Sequence, residues 1–252
     1  MTEMLIVRVR MPLSVNIEAY KAYLQEPWGK IQYQIVFSQL EEMTDKTILD
    51  FGAGLGMTSD FLSQKNYVLA IEPNPELLEP EKQTTYQKIL GSLEALQSLE
   101  PNSVDVIICH NVMEYIEPEK RQAYFYQFKR VLKPQGLLSI IKHNHVGKLM
   151  QAVVLENDAS KALQLLKGEE FESVSFAQGW TYSIEDLLAL SGMRLEKYQG
   201  LRTFYSLQAN NLKTSEDWLE QMTKIELAVC DLKPYKDISF LQHVWLVNDK
   251  GE

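Results

Sequence analysis

Asp50, Gly52, Gly54 and Gly56 follow one another at the end of an apolar run, Thr47-Ile48-Leu49, and lead straight into the helical stretch from Met57. Glycine adopts backbone conformations that a Cβ forbids and lets the main chain approach a ligand closely, so this run reads as a nucleotide-binding elbow. The spacing narrows the nucleotide. A dinucleotide site uses GxGxxG, which seats a pyrophosphate on the helix N-terminus, whereas here the glycines alternate as GxGxG and Met57 follows the last. Asp50, two positions before the first glycine, would repel phosphate oxygens and attract a cation such as the amino group of a methionine-type ligand. A second carboxylate, Glu72, ends the run Tyr67–Asn74 about twenty residues later, where an acidic side chain grips ribose hydroxyls in nucleotide-binding βαβ units. A carboxylate accepts two such bonds at once, and charge-assisted hydrogen bonds are strong. Further along, His110 closes an apolar run, Lys142-His143-Asn144-His145 crowd the end of another, and Arg202 offers a guanidinium fork that matches a carboxylate.

These groups need a scaffold that brings strand ends together. Strand-like runs at 47–53, 67–72, 86–90, 104–110 and 137–143 alternate with helical stretches at 57–65, 75–83 and 118–132. Such alternation argues an α/β fold with a parallel sheet covered on both faces, and nearly apolar strands such as Val104-Asp105-Val106-Ile107-Ile108-Cys109 agree with burial on both sides. Ligands of such sheets lie outside the carboxyl ends of the strands, and Asp50, Glu72, Ser92 and His110 all fall there. Ahead of the first strand, 17–43 holds two helical stretches broken at Pro27 and Gly29. In the second, Ile31, Ile35, Phe37 and Leu40 form a stripe that packs on the sheet. After residue 145 the pattern changes to an inserted helical segment at 149–168 and a Ser-capped helix ending at Gly192. A strand-like run at 193–206, a helix at 215–232 and a last strand at 240–247 follow.

Asp50-Phe51-Gly52-Ala53-Gly54-Leu55-Gly56 resembles the first motif of class I S-adenosylmethionine-dependent methyltransferases. The likeness continues through Glu72, through Gly91-Ser92-Leu93, where many relatives carry Asp against the adenine in place of Ser92, and through 104–116 and 132–144. The resemblance implies a Rossmann-like, doubly wound seven-stranded sheet, mostly parallel with an antiparallel last strand. It implies a single domain over 1–252: a helical N-terminal cap at 1–46, a cofactor-binding core at 47–144, and the remaining sheet with substrate-lid insertions after strands 5 and 6 at 145–252. S-adenosylmethionine is the implied cofactor, held by Asp50, Gly52, Ala53, Gly54, Gly56, Glu72, Pro73, Ser92, Leu93 and His110. Trp28, Lys30 and Tyr33 would close over its methionine end, Lys30 by pairing with the carboxylate; read from the residues alone, Trp28 is equally a packing anchor and Lys30 a solvated charge. The C-terminal half resembles the bacterial methyltransferases that esterify the carboxymethoxyuridine of the tRNA anticodon wobble position. On that comparison Asn144, Arg202 and Phe204 keep the relatives' residue types, while His143 and Tyr205 replace an aromatic and a histidine. The basic residues that follow in the relatives are replaced by Ser206-Leu207-Gln208-Ala209-Asn210-Asn211.

Composition bounds the partners. The 252 residues include 45% apolar and 23% charged, close to ordinary globular proteins. The formal net charge is −9, whereas a nucleic-acid binder ordinarily shows a basic footprint, so general DNA binding is not expected. Local patches are Lys142, His143, His145 and Lys148, or Lys129, Arg130 and Lys133, the second group reading equally as cations that complement a helix dipole. Two cysteines, Cys109 and Cys230, are too few and too differently placed for a disulfide framework, which fits a reducing cytoplasm. The opening Met1–Leu13 suits neither a signal peptide nor a membrane span.

Methyl transfer from a sulfonium is an in-line displacement that needs alignment above all. A carboxylate nucleophile is already ionised and requires no base; Arg202 would orient it, with Lys142, Asn144 and Tyr205 completing the acceptor site. A hydroxyl, amine or ring nitrogen would need a base, for which His110 and His143 are the candidates. No metal is expected, since no Cys or carboxylate stands at ligand spacing beside His143 and His145. The acceptor is thus a small molecule or a modified tRNA nucleoside. The competing reading is a cofactor-binding regulatory or assembly protein without catalysis, and a nicotinamide oxidoreductase is disfavoured by GxGxG.

Overall fold

The computed structural model describes residues 17–79, 82–168, 171–172 and 178–250; the expectations for residues 1–15 fall outside them. In chain order the elements are α1 (Ile17–Gln25), α2 (Pro27–Leu40), β1 (Thr47–Phe51), α3 (Met57–Leu62), β2 (Tyr67–Glu72), α4 (Pro75–Leu78), β3 (Gln87–Leu90), α5 (Leu93–Ser98) and β4 (Val104–His110). Then come α6 (Arg121–Val131), β5 (Leu132–His143), α7 (His145–Met150), α8 (Ala159–Leu166), the short pair β6 (Phe171–Glu172) and β7 (Gln178–Gly179), α9 (Ile184–Ser191) and β8 (Arg194–Leu201). The chain finishes with α10 (Glu216–Val229), α11 (Tyr235–Ile238) and β9 (Leu241–Val247). Seven strands form one sheet in the order β3-β2-β1-β4-β5-β9-β8. β1 pairs in parallel with β2 and β4, and β9 runs antiparallel to both β5 and β8. The order reverses between β1 and β4, the switch point at which such sheets bind ligands.

Strand alternation sorts the side chains into two layers. Leu49 and Phe51 of β1, Ile107 and Cys109 of β4, and Leu138 and Ile140 of β5 pack with Phe125, Phe128 and Leu187 of α6 and α9. Ile48, Val106, Ile108 and Ile141 face the other way, onto Ile31, Ile35, Val36 and Leu40 of α2 and Leu62 of α3. Asp50, His110, Ser139 and His143 therefore project toward the α2 layer. Lys142 projects toward α9, so the polar run 142–145 does not act as one cluster.

Several boundaries differ from the sequence reading. The first helical break lies before Pro27, which opens α2, because its missing N–H and fixed φ suit a first helical position. Gly29 sits inside α2; a Cβ there would stand 2.1 Å from the Tyr23 carbonyl oxygen, so it permits the close approach of α1. α4 stops at Leu78, where Glu79 turns to φ +45. α9 carries a complete capping box between Ser183 and Asp186 and ends on left-handed Gly192, as its sequence indicates. The inserted segment is not one helix: a π-helical turn at Gln151–Leu155 separates α7 from α8. Among the described residues, no helix is long and apolar enough to cross a membrane.

Candidate active site

The elbow between β1 and α3 has all three glycines at positive φ: +76 at Gly52, +56 at Gly54 and +77 at Gly56. Their surroundings differ. A Cβ on Gly52 would stand 2.3 Å from a methyl of Val112, and one on Gly56 would stand 2.0 Å from the Tyr86 hydroxyl, whereas around Gly54 no heavy atom lies within 4 Å. Two of the glycines serve close packing, and Gly54 leaves an open cradle of the kind a ligand fills. The Gly52 and Ala53 N–H groups donate to the Ile71 carbonyl at 2.8 and 3.1 Å, which ties the elbow to β2.

Two carboxylates flank this cradle. Asp50 is buried, accepts the Ser59 hydroxyl at 2.6 Å, and is pushed up to about 6, mainly by burial. Its charge helps raise the phenol of half-buried Tyr33, so Asp50 stands beneath the α2 cap. Tyr33 in turn shares a hydrogen bond with Tyr20 at 3.1 Å. Glu72 accepts the Gly54 N–H on one oxygen and the Asn74 N–H on the other, each at 2.9 Å, so it shapes the elbow. Each oxygen keeps a further lone pair for a ligand hydroxyl. Pro73 is exposed beside it. At the next strand end the Ser92 hydroxyl pairs with Tyr124 at 3.1 Å, and Leu93 opens α5. Trp28 is half-buried, with its carbonyl accepting the Tyr23 hydroxyl, and Lys30 is exposed. His110 is half-buried at the end of β4 with its Nε2 at 2.8 Å from the Ser139 hydroxyl, and burial holds its pKa down to about 3.

A second set of groups gathers around Phe240. The Arg202 guanidinium lies 4.6 Å from that ring, the Lys148 ammonium 5.0 Å, and the His143 ring 5.4 Å. Arg202 also lies 5.2 Å from the Tyr205 ring, reaches Gln32 at 3.4 Å, and forms no ion pair among the described residues. Its backbone stands at φ +62, strained for an arginine. The strain is held by Glu226 of α10, a buried carboxylate that accepts the N–H groups of Thr203, Phe204 and Tyr205 at 2.8, 2.8 and 3.1 Å. Tyr205 is fully buried, its hydroxyl without a partner among the described residues, and the Lys213 ammonium lies 5.7 Å from its ring. Burial, reinforced by Arg202, lowers Lys148 to about 7 and Lys213 to about 8.

Two residues expected at the acceptor site, Asn144 and Lys142, have partners within the protein. Asn144 donates its amide to the carbonyls of Asp237 and Ser239, both at 2.8 Å, and so latches α11 to the end of β5. Lys142 donates to the Tyr182 carbonyl at 2.6 Å on the α9 side of the sheet. Strand alternation separates it from His143, whose Nε2 lies 3.7 Å from Glu114. The surface cations are also committed: Lys129 donates to the Gly192 carbonyl, Arg130 to the Leu96 carbonyl, and Lys133 pairs with Asp105 at 2.8 Å. Phe204 leans on Tyr235 at 5.9 Å. Cys109 and Cys230 are free and buried. Among the described residues no group of three or more metal-ligating side chains stands together; His145 reaches Thr181 at 3.4 Å, away from His143. Sequence reasoning placed Lys148 only in a local basic patch and did not single out Glu114, Lys213, Glu226 or Phe240, which the fold brings near His143, Arg202 and Tyr205. Glu226 carries no local signal, because only the fold brings α10 to residue 203.

Residues 49–140 match the family of the methyltransferase domain. No curated protein sequence matches the chain. Among solved structures, one from Thermotoga maritima is described as an S-adenosylmethionine-dependent methyltransferase, possible histamine N-methyltransferase. It aligns with a TM-score of 0.61 at 12% identity, over 92% of this chain and 96% of that one. An S-adenosylmethionine-dependent methyltransferase of Mesorhizobium loti gives 0.57 at 15% identity, over 88% and 99%. One from Methanosarcina mazei gives 0.53 at 14% identity, over 81% and 93%. At such identities the likeness speaks for the fold. The family match speaks for the core that carries the elbow, Glu72, Ser92 and His110. Residues 49–140 thus match a methyltransferase domain, and the seven-stranded sheet around them has the fold of S-adenosylmethionine-dependent methyltransferases.

Proposed function

We propose that the protein methylates an acidic acceptor, a carboxylate carried by a small metabolite or by a modified tRNA nucleoside. The observation that carries this reading is Arg202: a guanidinium close to two aromatic rings, on a strained backbone, that forms no ion pair among the described residues and feels the Glu226 carboxylate only from a distance. Desolvating a charge without a counter-ion is costly, and strain held by the surrounding structure marks functional positions. An anionic ligand relieves the first cost and explains the second. Lys148 supports the same reading from the other edge of Phe240.

S-adenosylmethionine, when bound, supplies an electrophilic methyl on a sulfonium. The open side of Gly54 and the free lone pairs of Glu72 suit its ribose, the ends of β3 and α5 at Ser92 and Leu93 suit its adenine, and Asp50 with the α2 cap, including Trp28 and Lys30, suits its methionine end. Arg202 holds the acceptor carboxylate bidentately and Lys148 adds a second positive charge. The acceptor is ionised at neutral pH, so no group has to take a proton from it. His143, kept neutral chiefly by burial, contributes shape rather than proton transfer. Segments after Asn144 form the acceptor lid within one domain.

The test is incubation of the purified protein with methyl-labelled S-adenosylmethionine and fractions of tRNA and small metabolites. Label that mild alkali releases as volatile methanol identifies an ester and is the expected result. Base-stable label would replace the carboxylate by another nucleophile. Cofactor binding without label in any fraction would favour a regulatory protein.

A further inference from the structure

The hydrogen bond from His110 continues inward. Ser139 Oγ lies 2.8 Å from His110 Nε2 and 2.6 Å from His243 Nε2, and His243 Nδ1 lies 2.6 Å from the Gln39 side-chain oxygen. Ser139 and His243 are fully buried. Register places all three on the α2 side of the sheet, with His110 opposite Ile141 and Ile141 opposite His243. The chain thus crosses β4, β5 and β9 and ends on α2, the cap helix. His110 Nδ1 makes no hydrogen bond among the described residues.

A serine hydroxyl has one proton, so of two neutral imidazole nitrogens that contact it, one accepts and the other donates. The Gln39 oxygen can only accept, which puts the His243 proton on Nδ1 and leaves its Nε2 as a lone pair. Ser139 donates there. Its oxygen then accepts from His110, whose proton sits on Nε2. Burial keeps both rings neutral.

We propose that Gln39, His243 and Ser139 are positioning residues that fix His110 as its Nε2–H tautomer and so present the Nδ1 lone pair at the end of β4 as a hydrogen-bond acceptor. A lone pair repels an acceptor carboxylate and welcomes a donor. Resting on the cofactor assignment above, the group it suits is the ammonium of the cofactor's methionine moiety. His110 then helps place the methyl donor, and the cap helix communicates with it through bonds alone.

Nitrogen-15 long-range correlation spectra of the full chain test this directly, since only four histidines contribute signals. His243 is expected as Nδ1–H and His110 as Nε2–H. Free histidine favours Nε2–H, so the His243 pattern is the informative one. In Gln39→Met nothing holds the His243 proton on Nδ1; it moves to Nε2, Ser139 turns its proton to His110, and His110 switches to Nδ1–H without having been touched. Gln39→Glu, whose carboxylate in its ionised form also only accepts, keeps the wild-type pattern above its pKa and controls for damage to the helix. Ser139→Ala in the Gln39→Met background abolishes the switch. A wild-type His243 carrying its proton on Nε2, or a His110 pattern indifferent to Gln39→Met, overturns the relay. Calorimetry supplies the second arm. Gln39→Met is expected to weaken S-adenosylhomocysteine about tenfold and to leave 5′-methylthioadenosine, which lacks the amino acid, unchanged. Equal losses for both overturn the ammonium contact, whereas a wild type that binds neither refutes the cofactor assignment and leaves the spectra to decide the relay.

Discussion

Replacing each elbow glycine by alanine separates packing from binding, because the same methyl meets different surroundings. At Gly54 the added Cβ meets no heavy atom within 4 Å, so the cost is that of an L-residue in the left-handed region, about 1–2 kcal/mol. At about 2–4 °C per kcal/mol for a chain of this size, the Gly54→Ala melting temperature should fall by roughly 2–8 °C. At Gly56 the same backbone cost applies, and the Cβ also lands 2.0 Å from the Tyr86 hydroxyl; overpacking of that kind adds about 1–3 kcal/mol. Tyr86→Phe removes the offending oxygen and leaves a ring carbon at 3.0 Å as the nearest neighbour. Gly56→Ala should therefore be partly rescued in stability by Tyr86→Phe, a coupling expected of touching residues. Binding should rank the other way. Gly54→Ala, mild for the fold, should weaken S-adenosylhomocysteine by at least about tenfold, some 1.4 kcal/mol, since its methyl fills the open cradle. Thermal unfolding and calorimetry on the same samples read both quantities. Wild-type affinity in Gly54→Ala would refute the cradle as the cofactor's place, and Gly56→Ala no less stable than Gly54→Ala would refute the packing argument.

Glu226→Gln leaves three backbone N–H groups facing an amide, so it should cost about 2–3 kcal/mol in urea unfolding and raise the acceptor KM as the Arg202 segment loosens. Asn144→Leu strands the Asp237 and Ser239 carbonyls; a loss of about 1–3 kcal/mol with unchanged S-adenosylhomocysteine affinity in calorimetry is expected of a latch. Glu114 is fully buried and pushed up, chiefly by burial, from 4.5 to about 7. Its folded form therefore holds a proton that the unfolded chain releases near 4.5. The resulting stability is complete below that pH and is lost as pH rises through about 7, and Asp50, raised to about 6, acts in the same sense. The buried His110, His143 and His243, whose pKa values burial lowers, act in the opposite sense over the same window, so the readout is the difference: between pH 4.5 and 7 the melting temperature of Glu114→Gln should rise relative to that of wild type.

The cofactor half of this protein was legible because its chemistry is local. Gly52, Gly54 and Gly56 announce their backbone conformations by type, and apolar runs ending in Asp50, Glu72 and His110 announce strand ends. The acceptor half depends on long-range closure, which periodicity does not encode. Lys142, His143 and Asn144 are neighbours in sequence, yet alternation sends the first toward α9 and the second toward α2, while the third anchors a loop. Arg202 stands out in the sequence by its type alone; the Glu226 that holds its backbone and the Phe240 it stacks on lie in elements that meet it only in the folded sheet. Gly29 misled in the opposite direction: a residue that commonly breaks helices is kept here inside one, because α1 presses its Tyr23 carbonyl against it.

Calorimetric titration of wild type and Glu72→Ala with S-adenosylhomocysteine asks whether the elbow holds the methyl donor's scaffold. Saturable binding in wild type, weakened by at least about tenfold once the Glu72 carboxylate is removed, is the expected result. A wild type that gives no binding heat and protects nothing against thermal unfolding, or a Glu72→Ala isotherm that matches wild type, would contradict it.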